Sequence, residues 1–145
     1  MSETQTAADA APTMAPVLGG IAPYLTVDGA AKASEFYQRA FGAKEVARMP
    51  VDDKGRTMHV HLQINGASFM LSDGYPEHGH PHETPRGMTI ILPMDEPDAW
   101  WERAVAEGAT VTAPLQTMFW GDRYGALQDP WGFTWAVNAP AKRAG

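Results

Sequence analysis

This 145-residue chain carries five histidines and no cysteine. Three of them, His78, His80 and His82, fall in "EHGHPHE", Glu77 to Glu83, between two carboxylates, a composition from which transition-metal sites are built. The other two, His59 and His61, lie two residues apart in "RTMHVHLQI". On a strand that spacing puts both imidazoles on one face, about 6.6 Å apart at ~3.3 Å per residue. Neutral imidazoles so placed donate and accept hydrogen bonds to a ligand, and share a metal only if a third ligand arrives from elsewhere. A further stretch, "FWGDRYG", sets Trp120, Asp122, Arg123 and Tyr124 among glycines, and Gly121 and Gly125 are expected to permit a turn. Arg123 offers a forked cation suited to carboxylate or phosphate, and Trp120 a ring on which a flat ligand can stack. Without cysteine there is no thiolate catalysis, zinc–thiolate site or disulfide.

Which of these groups is held in place depends on the elements around them. "EHGHPHE" alternates histidine with Gly79 and Pro81 and runs on to Pro85, which is linker composition with no fixed face. By contrast, Asn65-Gly66 between "RTMHVHLQI" and "ASFMLSD" is a strong two-residue hairpin signal and fixes a register. Ile64 then faces Ala67, Leu62 faces Phe69 and Val60 faces Leu71, a wholly apolar set. The other face pairs Gln63 with Ser68, His61 with Met70 and His59 with Ser72. In "IAPYLTV" the same alternation sends Leu25 and Val27 one way and Ala22, Tyr24 and Thr26 the other. In "FTWAV" it separates Phe133, Trp135 and Val137 from Thr134 and Ala136. Each sheet is therefore expected to have a greasy face and a mixed face, with Tyr24, His59 and His61 on the mixed one.

The pattern is written twice. "FYQRA" at Phe36–Ala40 recurs as "WWERA" at Trp100–Ala104, each preceded by a strand-like run and an aspartate, Asp28 or Asp95. Those aspartates are expected to cap helices whose ends Gly42 and Gly108 mark, with Pro97 suited to a first turn. "DPWG" at Asp129–Gly132 reads as a type I turn joining the last two strands. The adjacent aromatics Phe36/Tyr37 and Trp100/Trp101 are assigned to packing. The domain plan is a disordered tail over 1–20, one domain over 21–138 (module one 21–74, linker 75–86, module two 87–138) and a C-terminal tail over 139–145.

Composition narrows the class. A net charge of −6 argues against a nucleic-acid partner, which would call for a basic face. No run approaches the ~20 apolar residues of a membrane span, and the N-terminus lacks the basic start and apolar stretch of a signal peptide. A cytoplasmic protein with no membrane partner is expected.

Together the doubled strand–helix–strands pattern, "YLTVDGAAKASEFYQRAFGA" and "FWGDRYGALQDPWGFTWAV" resemble the vicinal oxygen chelate superfamily of glyoxalases, bleomycin-resistance proteins and dioxygenases, within it the PhnB-like branch. The resemblance covers about residues 21–138. It implies an α+β fold of two βαβββ modules forming a cupped, mainly antiparallel sheet, in a homodimer, with a small molecule or metal in the cup. The four positions at which the family's metal-dependent members place ligands align with Ala22, Met70, Met88 and Ala136, none of which offers a donor to a hard or borderline cation. The expectation is therefore a protein without metal or other cofactor that binds a small molecule between Tyr24, His59, His61, Trp120 and Arg123. The alternatives are a metalloenzyme (lyase, isomerase or dioxygenase) with an atypical site, to which His59 and His61 would contribute, and a non-catalytic interaction protein.

Overall fold

In the computed structural model, which describes residues 15–141, the chain runs β1 (Tyr24–Val27), α1 (Ala30–Phe41), β2 (Lys44–Arg48), β3 (Val60–Ile64), β4 (Ala67–Asp73), β5 (Ile90–Pro93), α2 (Pro97–Ala106), β6 (Thr110–Thr117), β7 (Arg123–Gln128) and β8 (Thr134–Ala139). Strand, helix and three strands thus occur twice, giving two four-stranded sheets ordered β1-β4-β3-β2 and β5-β8-β7-β6. In each, the first strand lies parallel to the last and the others pair antiparallel. This is the α+β, doubled βαβββ architecture. Most of the expected N-terminal tail lies outside the described residues. Its last part does not hang free, because Leu18 is hydrogen-bonded to Ser68. No helix among the described residues is long and apolar enough to cross a membrane.

The hairpin register follows from its turn. Asn65 (φ 54°) and Gly66 (φ 78°) both take the left-handed conformation that a two-residue loop needs. Ile64 pairs with Ala67, Leu62 with Phe69, His61 with Met70 and Val60 with Leu71. The apolar side of β1, β3 and β4 is buried beneath α1, whose Ala33, Phe36, Tyr37, Ala40 and Phe41 recur at helical spacing. The modules share one core: the Trp135 ring of β8 lies 5.4 Å from Tyr37, 5.0 Å from Phe41 and 5.3 Å from Phe69. Trp100 joins the helices, stacking on Phe41 and donating its indole N–H to the Phe41 carbonyl.

Three expectations about local signals are corrected. Asp28 and Asp95 do not cap; the N-cap positions are Gly29 before α1 and Glu96 before α2, neither with a side-chain cap hydrogen bond. The first N–H groups of α1 go instead to Asp73 at the end of β4, whose Oδ1 accepts from Gly29 (2.7 Å) and Ala30 (3.0 Å). Gly125 is not a turn residue. It lies inside β7, where a Cβ would come within 2.8 Å of both Leu115 and the Trp101 ring, so glycine here lets the second helix close on its sheet.

Two carboxylates are buried in this frame. Asp73 also takes the Thr57 N–H at 2.8 Å. Asp129, in the "DPWG" turn, takes the Tyr37 hydroxyl (2.5 Å), the Trp135 indole N–H (2.9 Å) and the Trp131 and Phe133 backbone N–H groups.

Candidate functional site

Alternation places Tyr24, His61, Ser68, Met70 and Ser72 on the face of the first sheet turned away from α1, since Tyr24 pairs with Met70 and Met70 with His61. His59 lies just before β3. Its Nδ1 is 2.8 Å from the Tyr24 hydroxyl, which also lies 3.1 Å from the Met58 carbonyl. Tyr24 has one hydroxyl hydrogen for two acceptors. If it goes to Met58, His59 must carry its proton on Nδ1; if it goes to His59, the proton sits on Nε2. In either tautomer Nε2 of His59 is buried and has no hydrogen-bond partner among the described residues. Burial, and then the neighbouring His61, lower the His59 pKa, so the ring is neutral near pH 7. His61, 1% exposed, has its Nε2 2.7 Å from Ser68 Oγ. The two imidazoles stand edge to face, 6.3 Å apart.

A cavity of about 430 Å³ opens beside this row, lined by Tyr24, Thr26, Met58, Ser72, Asp73, Tyr75, His78 and His80. Two of its walls come from the segment read as a faceless linker, and here the structure departs from the sequence. Pro76–His78 form one turn of 3₁₀ helix, and Tyr75 bridges back to His80. Arg56 clamps the turn: it donates to both oxygens of Glu77 (2.7 and 3.1 Å) and to Asp52 (3.0 Å), and lies 4.3 Å over the Tyr75 ring. The hydrogen bonds from Arg56 hold the Glu77 carboxyl down at about 2. Gly74 lets the returning chain in, since a Cβ there would meet the His82 nitrogen at 2.6 Å. His78 and His80 thus face the cavity, while His82 lines a different hollow with Asp28 and Trp131.

Tyr24, His59 and His61 come together, whereas Arg123 and Trp120 lie on the second module, away from them. Arg123 is paired with Asp98 (2.6 and 3.1 Å), not with Asp122, and lines a cavity with Glu96, Thr117 and Gly121. Asp122 instead receives the Asn138 amide and the Ala141 N–H. Trp120 is 49% exposed and packs edge-on against Phe119, which is 97% exposed.

The donor set at the aligned metal positions does not fit a divalent cation. Met70 faces Tyr24 and His61, and Ala136 is buried between Ile91 and Ala126. The register moves one position: Ile91 pairs with Ala136, so the residue two back on that face is Thr89, and Met88 alternates to the other side. Met88 lines an apolar cleft with Ile21, Pro23 and Ile64. Ala22, Met70, Thr89 and Ala136 supply a thioether and a hydroxyl and no carboxylate or imidazole. Among the described residues no three His, Asp or Glu side chains converge as metal ligands.

Known proteins place this geometry in context. The family model for the glyoxalase/bleomycin resistance protein/dioxygenase superfamily matches residues 17–137. An uncharacterized protein of Mycobacterium bovis, Mb0911c, is 41% identical over 128 residues, spanning 84% of each chain. Among solved structures, protein PA1353 from Pseudomonas aeruginosa superposes with a TM-score of 0.68 at 32% identity, covering 84% of this chain and 98% of its own. TnmS3, an antibiotic binding protein from Streptomyces sp. CB03234, does so with a TM-score of 0.63 at 27% identity, covering 88% and 98%.

Proposed function

Because the chain belongs to the glyoxalase/bleomycin resistance protein/dioxygenase superfamily, we propose that it binds a small molecule, without metal, on the open face of its first module between Tyr24, His59 and His61, with His78 and His80 as outer walls. The observation that carries this reading is the unpartnered Nε2 of His59. A buried polar atom left without a partner costs about 1–3 kcal/mol, which an apolar side chain of similar shape would avoid. The ring that carries this atom is bonded through Nδ1 to Tyr24, which lines a cavity of ligand size, so a polar group entering past Tyr24 can satisfy it. An antibiotic binding protein among the structural relatives supports binding rather than turnover.

The test is calorimetric titration of a panel of antibiotics and metabolites with and without EDTA, with wild type and His59→Phe compared. His59→Phe is expected to change unfolding stability by less than about 1 kcal/mol, because the orphaned nitrogen is lost together with the Tyr24 bond. It is expected to weaken a bound compound at least tenfold. Equal affinities for both proteins, or binding that vanishes with EDTA, would sink the proposal.

The same reading assigns a second copy of the chain as partner. Phe119, Trp120 and Ile91 leave large apolar area in water on the second module, and a homodimer would cover it and offer Trp120 and Arg123 to the neighbouring first module. Sedimentation velocity is expected to give a dimer that Phe119→Asp converts to monomer; a wild-type monomer at 50-fold above assay concentration, roughly 2 kcal/mol of mass action, would refute it.

A further inference from the structure

A sheet face turned away from its helix should be open, yet on the first module His61 is 1%, Ser68 2% and Met70 8% exposed. The covering is local: Tyr24, on the same face one strand over, is 51% exposed. The described chain reaches this spot at Leu18. Its amide N–H donates to Ser68 Oγ at 2.8 Å and its carbonyl accepts from Ser68 N–H at 3.0 Å. The register makes the placement unusual. Tyr24 pairs with Met70, so a straight run of β1 backward would set Ala22 opposite Ser68. Leu18 stands there instead and residues 19–22 loop outward, with Gly19 at φ 94° pressed to Ala67 and Ile21 89% exposed. Since Ser68 Oγ lies on the His61 face, the Leu18 N–H reaches that face from the β4 edge.

We propose that the segment Ala15–Gly20 is a strap lying in cis along the β4 edge of the binding face, latched by Leu18 on Ser68, and that a ligand binds by displacing it. The latch and the imidazole share one oxygen: Ser68 Oγ holds both the Leu18 N–H and His61 Nε2. A ligand group that takes Ser68 Oγ from the Leu18 N–H therefore competes with the strap, and apparent affinity is scaled down to the fraction of molecules whose strap is off. This inference rests on the ligand-site reading above for its consequence but not for its geometry.

The test compares the full chain, a deletion of residues 1–19, and Leu18→Pro, which removes the donor N–H while leaving the rest of the chain intact. The readout is the rate of diethyl pyrocarbonate modification of His61 by peptide mass spectrometry, with exposed His78 as internal reference. Modification is expected to be at least tenfold faster in the deletion, faster in Leu18→Pro, and slow again when a synthetic peptide of residues 1–19 is added. Unchanged His61 rates in both variants would overturn the strap, whatever binds. Any panel compound is expected to bind the deletion about tenfold more tightly. A reactive His61 with no compound bound by either protein would keep the strap and remove the ligand reading.

Discussion

Asp129→Ala is expected to destabilise the fold by about 4 kcal/mol, a large share of the ~5–15 kcal/mol that holds a domain together. The carboxylate joins the modules: Oδ2 accepts from Tyr37 on α1 and from Trp135 on β8, while Oδ1 accepts from the turn N–H groups of Trp131 and Phe133. Tyr37 and Trp135 are fully buried, so truncation strands two side-chain donors at about 1–3 kcal/mol each, besides loosening the turn. Asn is expected to be nearly as costly, because its NH₂ must face one of the two donor pairs. Tyr37→Phe alone should cost about 1.5 kcal/mol, and the double variant less than the sum by about 1 kcal/mol, the mark of a shared contact. Urea unfolding followed by tryptophan fluorescence measures all four proteins; full additivity would refute the coupling.

The same residue carries a pH signature. Burial is the largest influence and pushes the Asp129 pKa above 3.8, against the hydrogen bonds that lower it. The folded chain then binds this proton more tightly than the unfolded chain does. Its contribution is greatest below the unfolded pKa and declines as pH rises through the window between 3.8 and the raised folded value. The stability gap between wild type and Asp129→Ala is therefore expected to be wider at pH 3.5 than at pH 7. A gap that widens on going from acid to neutral would contradict that sign.

What the sequence made legible is what repeats at short range. The alternation in "RTMHVHLQI" and "ASFMLSD", pinned by Asn65-Gly66, determines which side chains share a face, so Tyr24, His61 and the apolar set could be sorted without coordinates. What stayed hidden depends on partners far along the chain. Nothing near Glu77 signals that Arg56, 21 residues upstream, will hold it. Without that clamp His78 and His80 read as linker, although Pro76 and Gly79 mark the turn that aims them. Arg123 faces Asp122 in the sequence but Asp98, 25 residues away, in the fold. Met88 was misplaced by one residue because a repeat with unequal loops gives its strands no common offset; pairing to β8 supplies it. The same holds for the α1 cap, whose acceptor is not the adjacent Asp28 but Asp73, 43 residues beyond Ala30.

Asp73→Ala is the second large effect expected, about 3 kcal/mol, and it separates structure from chemistry at the site itself. Asp73 is a carboxylate lining the cavity beside Tyr24 and His80, the location where a catalytic base would be sought. Its oxygens are already engaged: Oδ1 receives Gly29 and Ala30, the leading N–H groups of α1, and Oδ2 receives Thr57, which leads into β3. A charged acceptor at a helix N-terminus is favoured by the dipole as well as by its bonds. Each charge-assisted bond contributes about 1.5–3 kcal/mol, and part of that is recovered when water enters from the cavity side. Asn can keep α1 capped but then presents N–H₂ to the Thr57 N–H, so Asp73→Asn should cost about 2 kcal/mol and loosen the approach to His59 rather than the helix. Amide exchange is the decisive measurement. Faster exchange at Thr57 and His59 with α1 unchanged is expected for Asp73→Asn, and faster exchange at both for Asp73→Ala. If Asp73→Asn folds with wild-type stability, the carboxylate is not a structural tie, and its place in the cavity would then have to be explained by contact with the ligand.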